Sequence, residues 1–182
     1  MRNTFFVVEN KHLLMERMVI VKLEEISDFM AEYLRRGWQS FGTYPASTNI
    51  VVVKEFYANA RTFIEEAAPF LSYVRGRLVP FDAQTINSFL GTEWQDINMG
   101  QSLMLYSILL GKFMNVGRLI AEEICQCAHT AGNKSPLGHP SLITHLCQLV
   151  GVDISSPSFE RPRQVIDLPF YNQYFLDGEE GQ

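Results

Sequence analysis

The stretch that decides the fold is residues 103–153, LMLYSILLGKFMNVGRLIAEEICQCAHTAGNKSPLGHPSLITHLCQLVGVD. Its apolar residues recur at spacings of one, three and four, which is typical of helices. The pattern predicts one helix over 103–110 that ends at Gly111, a second from about Phe113 to Ala131, and a third over 141–150 that ends at Gly151. Two of the connections are short, so neighbouring helices should pack antiparallel or at an angle.

Helical patterns continue on the N-terminal side of this stretch. Residues 23–36 carry one apolar face and end at Gly37, and residues 83–90 lie between an N-cap candidate, Asp82, and Gly91. Residues 50–63 contain three valines, which favour a strand. Their apolar period nevertheless favours a helix, and we predict a helix, with an N-cap among residues 47–49. Residues 13–23 have a mixed period that leaves strand and helix open.

A short hairpin signal interrupts the helices. Arg75-Gly76 stands between β-prone residues in the run from Tyr73 to Phe81. The predicted fold class is therefore mainly α: a single compact helical domain with one short β-hairpin near residues 73–81. No internal repeat or low-complexity segment is found.

Composition limits the classes of protein to which the chain can belong. Of the 182 residues, 47% are hydrophobic, enough for a sizeable core, and the net charge of −5 argues against a general nucleic-acid binder. Three cysteines do not make a disulfide framework. No secretory signal is recognised, and no apolar run reaches the roughly 18 residues of a membrane span. We expect an intracellular protein, in the nucleus or the cytoplasm, without a membrane interaction.

Cysteines and histidines cluster late in the chain, which raises the question of zinc. Zinc needs four tetrahedral ligands, and residues two apart on a helix point about 160° away from each other. Cys125 and Cys127 share that spacing, as do His145 and Cys147, whereas Cys125 and His129, at i and i+4, could share an ion. The acidic pairs, such as Glu122/Glu123, are adjacent residues that splay apart, and no phosphate-binding glycine loop occurs. We predict no catalytic residue, no metal and no cofactor, and hence no enzyme.

Two surfaces are candidates for binding. Arg75, Arg77 and Arg61 place positive charge beside Tyr73 at the hairpin, a candidate contact for nucleic acid or a partner. The competing interpretation is a surface hairpin whose arginines meet nearby carboxylates. The C-terminal tail is aromatic and could cover the core or serve as a partner or self-association site; its aromatic residues are Phe170, Tyr171, Tyr174 and Phe175.

Five segments, in this order, carry a resemblance to a known family: RGWQSF at 36–41, VVKEFYANA at 52–60, VRGRLVPFDAQTINSFLG at 74–91, LYSILLGKFMNVGRLIAEEI at 105–124 and PSLITHLCQLVGV at 140–152. The sequence resembles the putative plant transposon protein domain, which is found in plant retroelement-derived polyproteins and in host genes descended from them. The resemblance implies a mostly helical domain with a short hairpin and no assigned enzymatic activity.

The resemblance also marks a departure from the family pattern. A long segment separates the FLG and LYSILLGK motifs in the family, whereas only residues 92–102 separate them here. We therefore expect a retroelement-derived helical domain over 1–155, internally shortened near 92–102 either in the gene or in its gene model, and a Pro/aromatic tail with an acidic C-terminus over 156–182. The expected function is a non-enzymatic protein interaction or assembly module, with a protein partner or a homo-oligomer. The alternative is a nucleic-acid-binding protein of transposable-element origin.

Overall fold

The structure, a computed structural model, describes residues 8, 10–19, 27–65, 70–92, 115–130, 135–155 and 159–161. Within these ranges the chain is mainly helical, with short strands in two antiparallel pairs, which confirms the predicted fold class. In chain order the elements are α1 (Ser27–Arg35), α2 (Gln39–Thr43), β1 (Thr48–Asn49), α3 (Ile50–Glu65), β2 (Leu71–Val74), β3 (Arg77–Pro80), α4 (Ala83–Leu90), α5 (Val116–His129), α6 (Pro140–Leu149) and β4 (Phe159–Glu160).

Helix α3 lies at the centre of the fold. Its first turn is capped by Asn49, whose Oδ1 accepts a hydrogen bond from the Val52 N–H at 3.1 Å. Val53, Phe56 and Tyr57 are fully buried in the core. Burial on this scale stabilises the native state by about 1.5–3 kcal/mol per large side chain. The helix predicted over 50–63 is confirmed, because the periodic apolar face that it buries outweighs the strand preference of its valines.

The other elements pack around α3. The β2–β3 hairpin covers one side of it, while α5 and α6 cover others, and α4 lies against α5. The Tyr57 hydroxyl donates a hydrogen bond to the Gly138 carbonyl at 2.8 Å, which ties α3 to the loop before α6. Burial raises the pKa of Tyr57 well above its usual value. One core cluster therefore joins all of these elements.

Several helix ends lie where the sequence predicts them. The Asp82 carboxylate accepts a hydrogen bond from the Thr85 N–H at 2.9 Å, and Gly91 takes a left-handed conformation with φ of 66°. Gly37, with φ of 67°, ends α1, and the Trp38 N–H donates to the Tyr33 carbonyl across that turn. These caps satisfy the backbone groups that a helix leaves unpaired at its ends.

Charge stabilises the end of α1. Arg35 and Arg36 both bind the Glu32 carboxylate, and the Arg36 side chain is only 1% exposed. Its guanidinium also lies 5.0 Å from the centre of the Trp38 ring. The hydrogen bond from Arg35 and the contacts with Arg36 lower the pKa of Glu32 to about 2.

Residues 11–19, in the stretch before α1, form no helix, whereas Val8 lies in one. The Leu14 N–H donates to the Leu137 carbonyl, and the Leu137 N–H donates to the His12 carbonyl, both at 2.8 Å. These bonds form an isolated parallel bridge between Leu13 and Leu137. The segment therefore gains its order from a contact more than 100 residues away in sequence.

Some predictions fall outside the described residues. The predicted helix over 103–110 with its stop at Gly111 lies there, as does most of the predicted tail. Phe159–Glu160, at the start of that tail, pairs antiparallel with Thr48–Asn49. Among the described helices, none is both long enough and apolar enough to cross a membrane.

Candidate interaction surface

The hairpin has an apolar face that points away from the core. Tyr73 and Leu78 are directly opposite each other across the strands, and each is 49% exposed. Behind them the pair Leu71 and Pro80 is half-buried. Residues on one face of a strand alternate with those on the other, so these four side chains share one face. We call them the hairpin face.

The opposite side of the hairpin is fixed to the core. Ser72 and Val79 are fully buried partners, and the Ser72 hydroxyl donates a hydrogen bond to the Phe56 carbonyl at 2.7 Å. Phe81, which follows β3, packs its ring 5.1 Å from the ring of Phe56. The hairpin face is therefore presented by a rigid support rather than by a loop.

The turn of the hairpin uses an arginine in an uncommon conformation. Arg75 and Gly76 both have positive φ, 46° and 83°, as a two-residue turn of the type I′ class requires. The Arg75 N–H donates to Glu55 Oε1 at 2.8 Å, and its guanidinium donates to the Asp153 carbonyl. Its Nε lies 4.0 Å from a carboxylate oxygen of Glu55, so this arginine has a carboxylate nearby, while the interpretation that these arginines meet nearby carboxylates stays a prediction for Arg77 and Arg61.

Of the remaining predicted contact residues, only Arg77 has a side chain within the described part of the chain. Arg77 is exposed, but it pairs with Val74, whose side of the hairpin is opposite to that of Tyr73. Arg61 belongs to α3, and its side chain lies outside the described part. Phe170, Tyr171, Tyr174 and Phe175 also lie outside the described residues, so their role as a self-association site stays a prediction.

Leu78 is part of the hairpin face, although it was not among the contact residues predicted from the sequence. A signal for it was present, because a two-residue turn at Arg75-Gly76 places residue 73 opposite residue 78. What the sequence could not supply was the side of the hairpin that faces the core. That side is set by the packing of Val74 and Val79, both fully buried.

A second feature is an apolar cavity of about 500 Å³ between α2, α5 and the stretch before α1. Its apolar wall includes Trp38, Phe41, Leu119 and Ile120. Its polar lining includes Glu16, Arg17, Glu123 and His139. His139 Nε2 lies 2.8 Å from a carboxylate oxygen of Glu123.

Glu16 has a structural role that no local pattern indicates. Its carboxylate accepts hydrogen bonds from the Ser141 and Leu142 N–H groups at 3.0 and 3.1 Å. The Tyr44 hydroxyl donates to the same carboxylate at 3.3 Å. Burial and the charge of Glu16 raise the pKa of Tyr44, so the phenol remains a donor. His139, at the N-cap position of α6, makes no side-chain capping bond.

The cysteines and histidines are dispersed among separate structural contacts. His145 Nε2 lies 3.2 Å from the Tyr44 carbonyl oxygen, and its ring lies 5.2 Å from that of Phe89. Cys147 is fully buried, and burial raises the pKa of its thiol to about 12. The pKa of the half-buried Cys125 is raised as well, mainly by desolvation.

No group of three or more potential metal ligands is found within the described ranges. The absence of a metal or a cofactor in the protein stays a prediction. The described contacts of His139 and His145 are nevertheless explained by packing and hydrogen bonding alone.

Comparison with known proteins places this arrangement in a family. The family model described as Putative plant retrotransposon-related domain matches the chain twice, over residues 34–101 and 93–153. No curated protein and no solved structure matches the chain. The two matches overlap and together cover well over half of the 182 residues, including α2 to α6 and the hairpin. The predicted retroelement resemblance is thereby confirmed, and the chain belongs to the putative plant retrotransposon-related domain family.

Proposed function

We propose that this protein is a non-enzymatic, intracellular interaction or assembly module of retroelement origin, and that the hairpin face is its contact surface. The observation that carries the proposal is the exposed cross-strand pair Tyr73 and Leu78 on a rigid support. Aromatic side chains are enriched in protein interfaces because they bury a large area with few rotatable bonds. The partner is a second copy of the chain or another protein with a complementary apolar patch.

Nucleic acid is the less favoured partner. A phosphate-binding surface combines several cations with stacking aromatic rings on one face. Here the Arg75 guanidinium donates to the Asp153 carbonyl and its Nε lies 4.0 Å from Glu55, and Arg77 lies on the side of the hairpin opposite to Tyr73. The net charge of −5 also repels a polyanion. The net negative charge of the chain and the strand register, which places Arg77 and Tyr73 on opposite sides of the hairpin, therefore favour a protein partner over nucleic acid.

The test compares a surface variant with a matched control. In the test variant Tyr73→Ser and Leu78→Ser are combined; in the control, Leu149→Ser changes an apolar residue of α6 that is 66% exposed. Sedimentation of the purified chain measures self-association, and selection from a random peptide library measures binding to other sequences. We expect at least one of these activities in the parent protein, its loss in the double variant, and its retention in the control.

Nucleic-acid binding is tested on the same proteins with single-stranded and duplex oligonucleotides at several salt concentrations. Arg77→Glu is the informative variant, because Arg75→Glu would also break the contact with Glu55. Submicromolar, salt-sensitive binding that Arg77→Glu abolishes would favour the alternative function. A monomer that selects no peptide through Tyr73 and Leu78 would refute the proposal.

A further inference from the structure

Strand β3 of the hairpin directs part of its backbone outward. Among the described strands, it pairs with β2 alone. The Phe81 N–H donates to the Phe70 carbonyl at 2.9 Å, so this pair is a hydrogen-bonded one. Because hydrogen-bonded and non-hydrogen-bonded pairs alternate along an antiparallel ladder, the register makes Tyr73 and Leu78 a pair whose backbone groups point away from each other. The N–H and the carbonyl of Leu78 therefore lie on the outer edge of β3.

The two edges of the hairpin differ in how they are occupied. On the β2 edge, the Tyr73 carbonyl accepts a hydrogen bond from Asn59 Nδ2 of α3. On the β3 edge, no described residue forms a hydrogen bond with the Leu78 N–H or carbonyl. Backbone groups of this kind on an edge strand are a template for pairing with another strand. Within the described part of the chain, the β3 edge is therefore the one that a further strand can join.

The side chains beside this edge define the strand that fits it. Leu78 is exposed on the hairpin face, and Arg77 is exposed on the opposite side. A strand paired with β3 presents its own side chains to these two sides alternately. An apolar residue opposite Leu78 would extend the hairpin face, and a carboxylate opposite Arg77 would form a cross-strand ion pair.

Two features restrict the partner further. Pro80, the next residue whose backbone faces outward, offers a carbonyl but no N–H, so the pairing is short. A second copy joined through β3 about a two-fold axis would place Leu78 opposite its own equivalent. The Arg77 side chains of both copies would then lie on the same face of the joined sheet, and like charges disfavour that arrangement. The charge of this strand therefore favours a segment of another protein.

We propose that β3 binds an extended segment of another protein by strand addition, with an apolar residue opposite Leu78 and an adjacent acidic residue opposite Arg77. Main-chain hydrogen bonds to Leu78 supply the affinity, and the side chains on the two sides supply the selectivity. The inference rests on the contact function proposed for the hairpin face, because it uses the same strand. It goes beyond that function by stating the conformation and the charge of the partner.

The first test measures hydrogen exchange of individual amides in the full chain. The Leu78 amide should exchange at least about tenfold faster than the amide of Val79, which is fully buried and bonded within the hairpin. Equal protection of the two amides in dilute protein overturns the proposal, because the edge is then already covered. Protection of Leu78 that appears only as the protein concentration rises also overturns it, in favour of a second copy.

The second test adds a synthetic peptide of alternating valine and threonine with one glutamate, placed so that valine faces Leu78 and glutamate faces Arg77 in antiparallel register. Binding should protect the Leu78 amide from exchange. Methylation of that valine's amide nitrogen removes the N–H that bonds to the Leu78 carbonyl, and should weaken binding at least about tenfold. Methylation of the glutamate's amide nitrogen, which points away from β3, is the matched control and should weaken binding clearly less.

The third test exchanges the charges. Arg77→Glu should lower the affinity for the peptide about two- to fivefold, as expected for an exposed ion pair. Replacing the peptide's glutamate by lysine should restore the affinity for this variant. Arg118→Glu, at a partly exposed arginine of α5, is the control and should leave the affinity unchanged.

The outcomes separate this inference from the proposed function. If the peptide does not protect the Leu78 amide, or if the two methylated peptides bind equally well, strand addition is wrong. The proposed contact function nevertheless stands if peptides selected from the library still require the Tyr73 and Leu78 side chains. If none is selected and the chain does not self-associate, the contact function fails as well.

Discussion

Replacing Glu16 by alanine should destabilise the protein by removing a helix cap that is supplied from far along the chain. The Glu16 carboxylate binds the Ser141 and Leu142 N–H groups at the start of α6 and accepts a hydrogen bond from Tyr44. Loss of a helix cap costs about 0.5–2 kcal/mol of stability. A buried hydroxyl that loses its partner costs about 1–3 kcal/mol more. We therefore expect a total loss of about 2–4 kcal/mol, within the sum of these ranges.

The assay is urea unfolding followed by tryptophan fluorescence, supported by thermal melting. For a chain of this size the expected loss corresponds to a fall in Tm of about 4–16 °C. Glu16→Gln keeps an acceptor oxygen but loses the attraction of a negative charge to the helix N-terminus. That variant should lose only about 0.3–2 kcal/mol.

The matched control is Glu122→Ala. Glu122 forms a surface ion pair with Arg118 on α5, and both side chains are more than 40% exposed. Such pairs contribute about 0.3–0.5 kcal/mol. If Glu16→Ala costs no more than Glu122→Ala, the capping carboxylate does not stabilise α6 and the reasoning is wrong.

Three further predictions concern packing, pH and thiol chemistry. Gly117→Ala should cost about 1–3 kcal/mol or more in urea unfolding, because its Cβ would push α4 and α5 apart; Gly138→Ala, whose Cβ would meet only ordinary contacts, should cost clearly less. Glu32 has its pKa lowered from 4.5 to about 2, chiefly by its hydrogen bond with Arg35. Its contribution to stability is therefore present above pH 4.5 and is lost as the pH falls toward 2; Glu32→Gln should remove this part of the pH dependence, and an unchanged profile would contradict the assignment. The buried Cys147 thiol, with a pKa of about 12, should resist iodoacetamide at pH 8 until the protein unfolds, as followed by mass spectrometry; labelling of the folded protein at the rate of a free thiol would show that the site is open.

The sequence correctly predicted those features that depend on residues close together along the chain. The Asp82 cap and the glycine after α4 are examples, because the side chain, the turn and the backbone groups that they satisfy are neighbours along the chain. The two-residue turn at Arg75-Gly76 is another, since the turn type fixes the pairing of the strands. The spacing of the apolar residues in α3 likewise predicted which face of the helix is buried.

Tertiary structure decided how the side chains of the hairpin are oriented. The sequence grouped Arg75 and Arg77 with Tyr73, but in the packed hairpin the Arg75 guanidinium donates to the Asp153 carbonyl and lies beside Glu55, while Tyr73 is exposed together with Leu78. The surface that we propose therefore changed from a cationic patch to an apolar one. That change could not be read from composition, because the same residues fit either orientation.

The sequence by itself predicted α1, α3, α4, α5 and α6, the hairpin and the family, all of which depend on local spacing or on the order of motifs. Only the tertiary structure revealed that Glu16 caps a helix 125 residues away and that Asn87 joins Thr92 to Asn115. The physical reason is that a buried hydrogen bond is specified by positions in space. Residues that form such bonds follow no period along the chain, so their partners become visible only when the elements have packed.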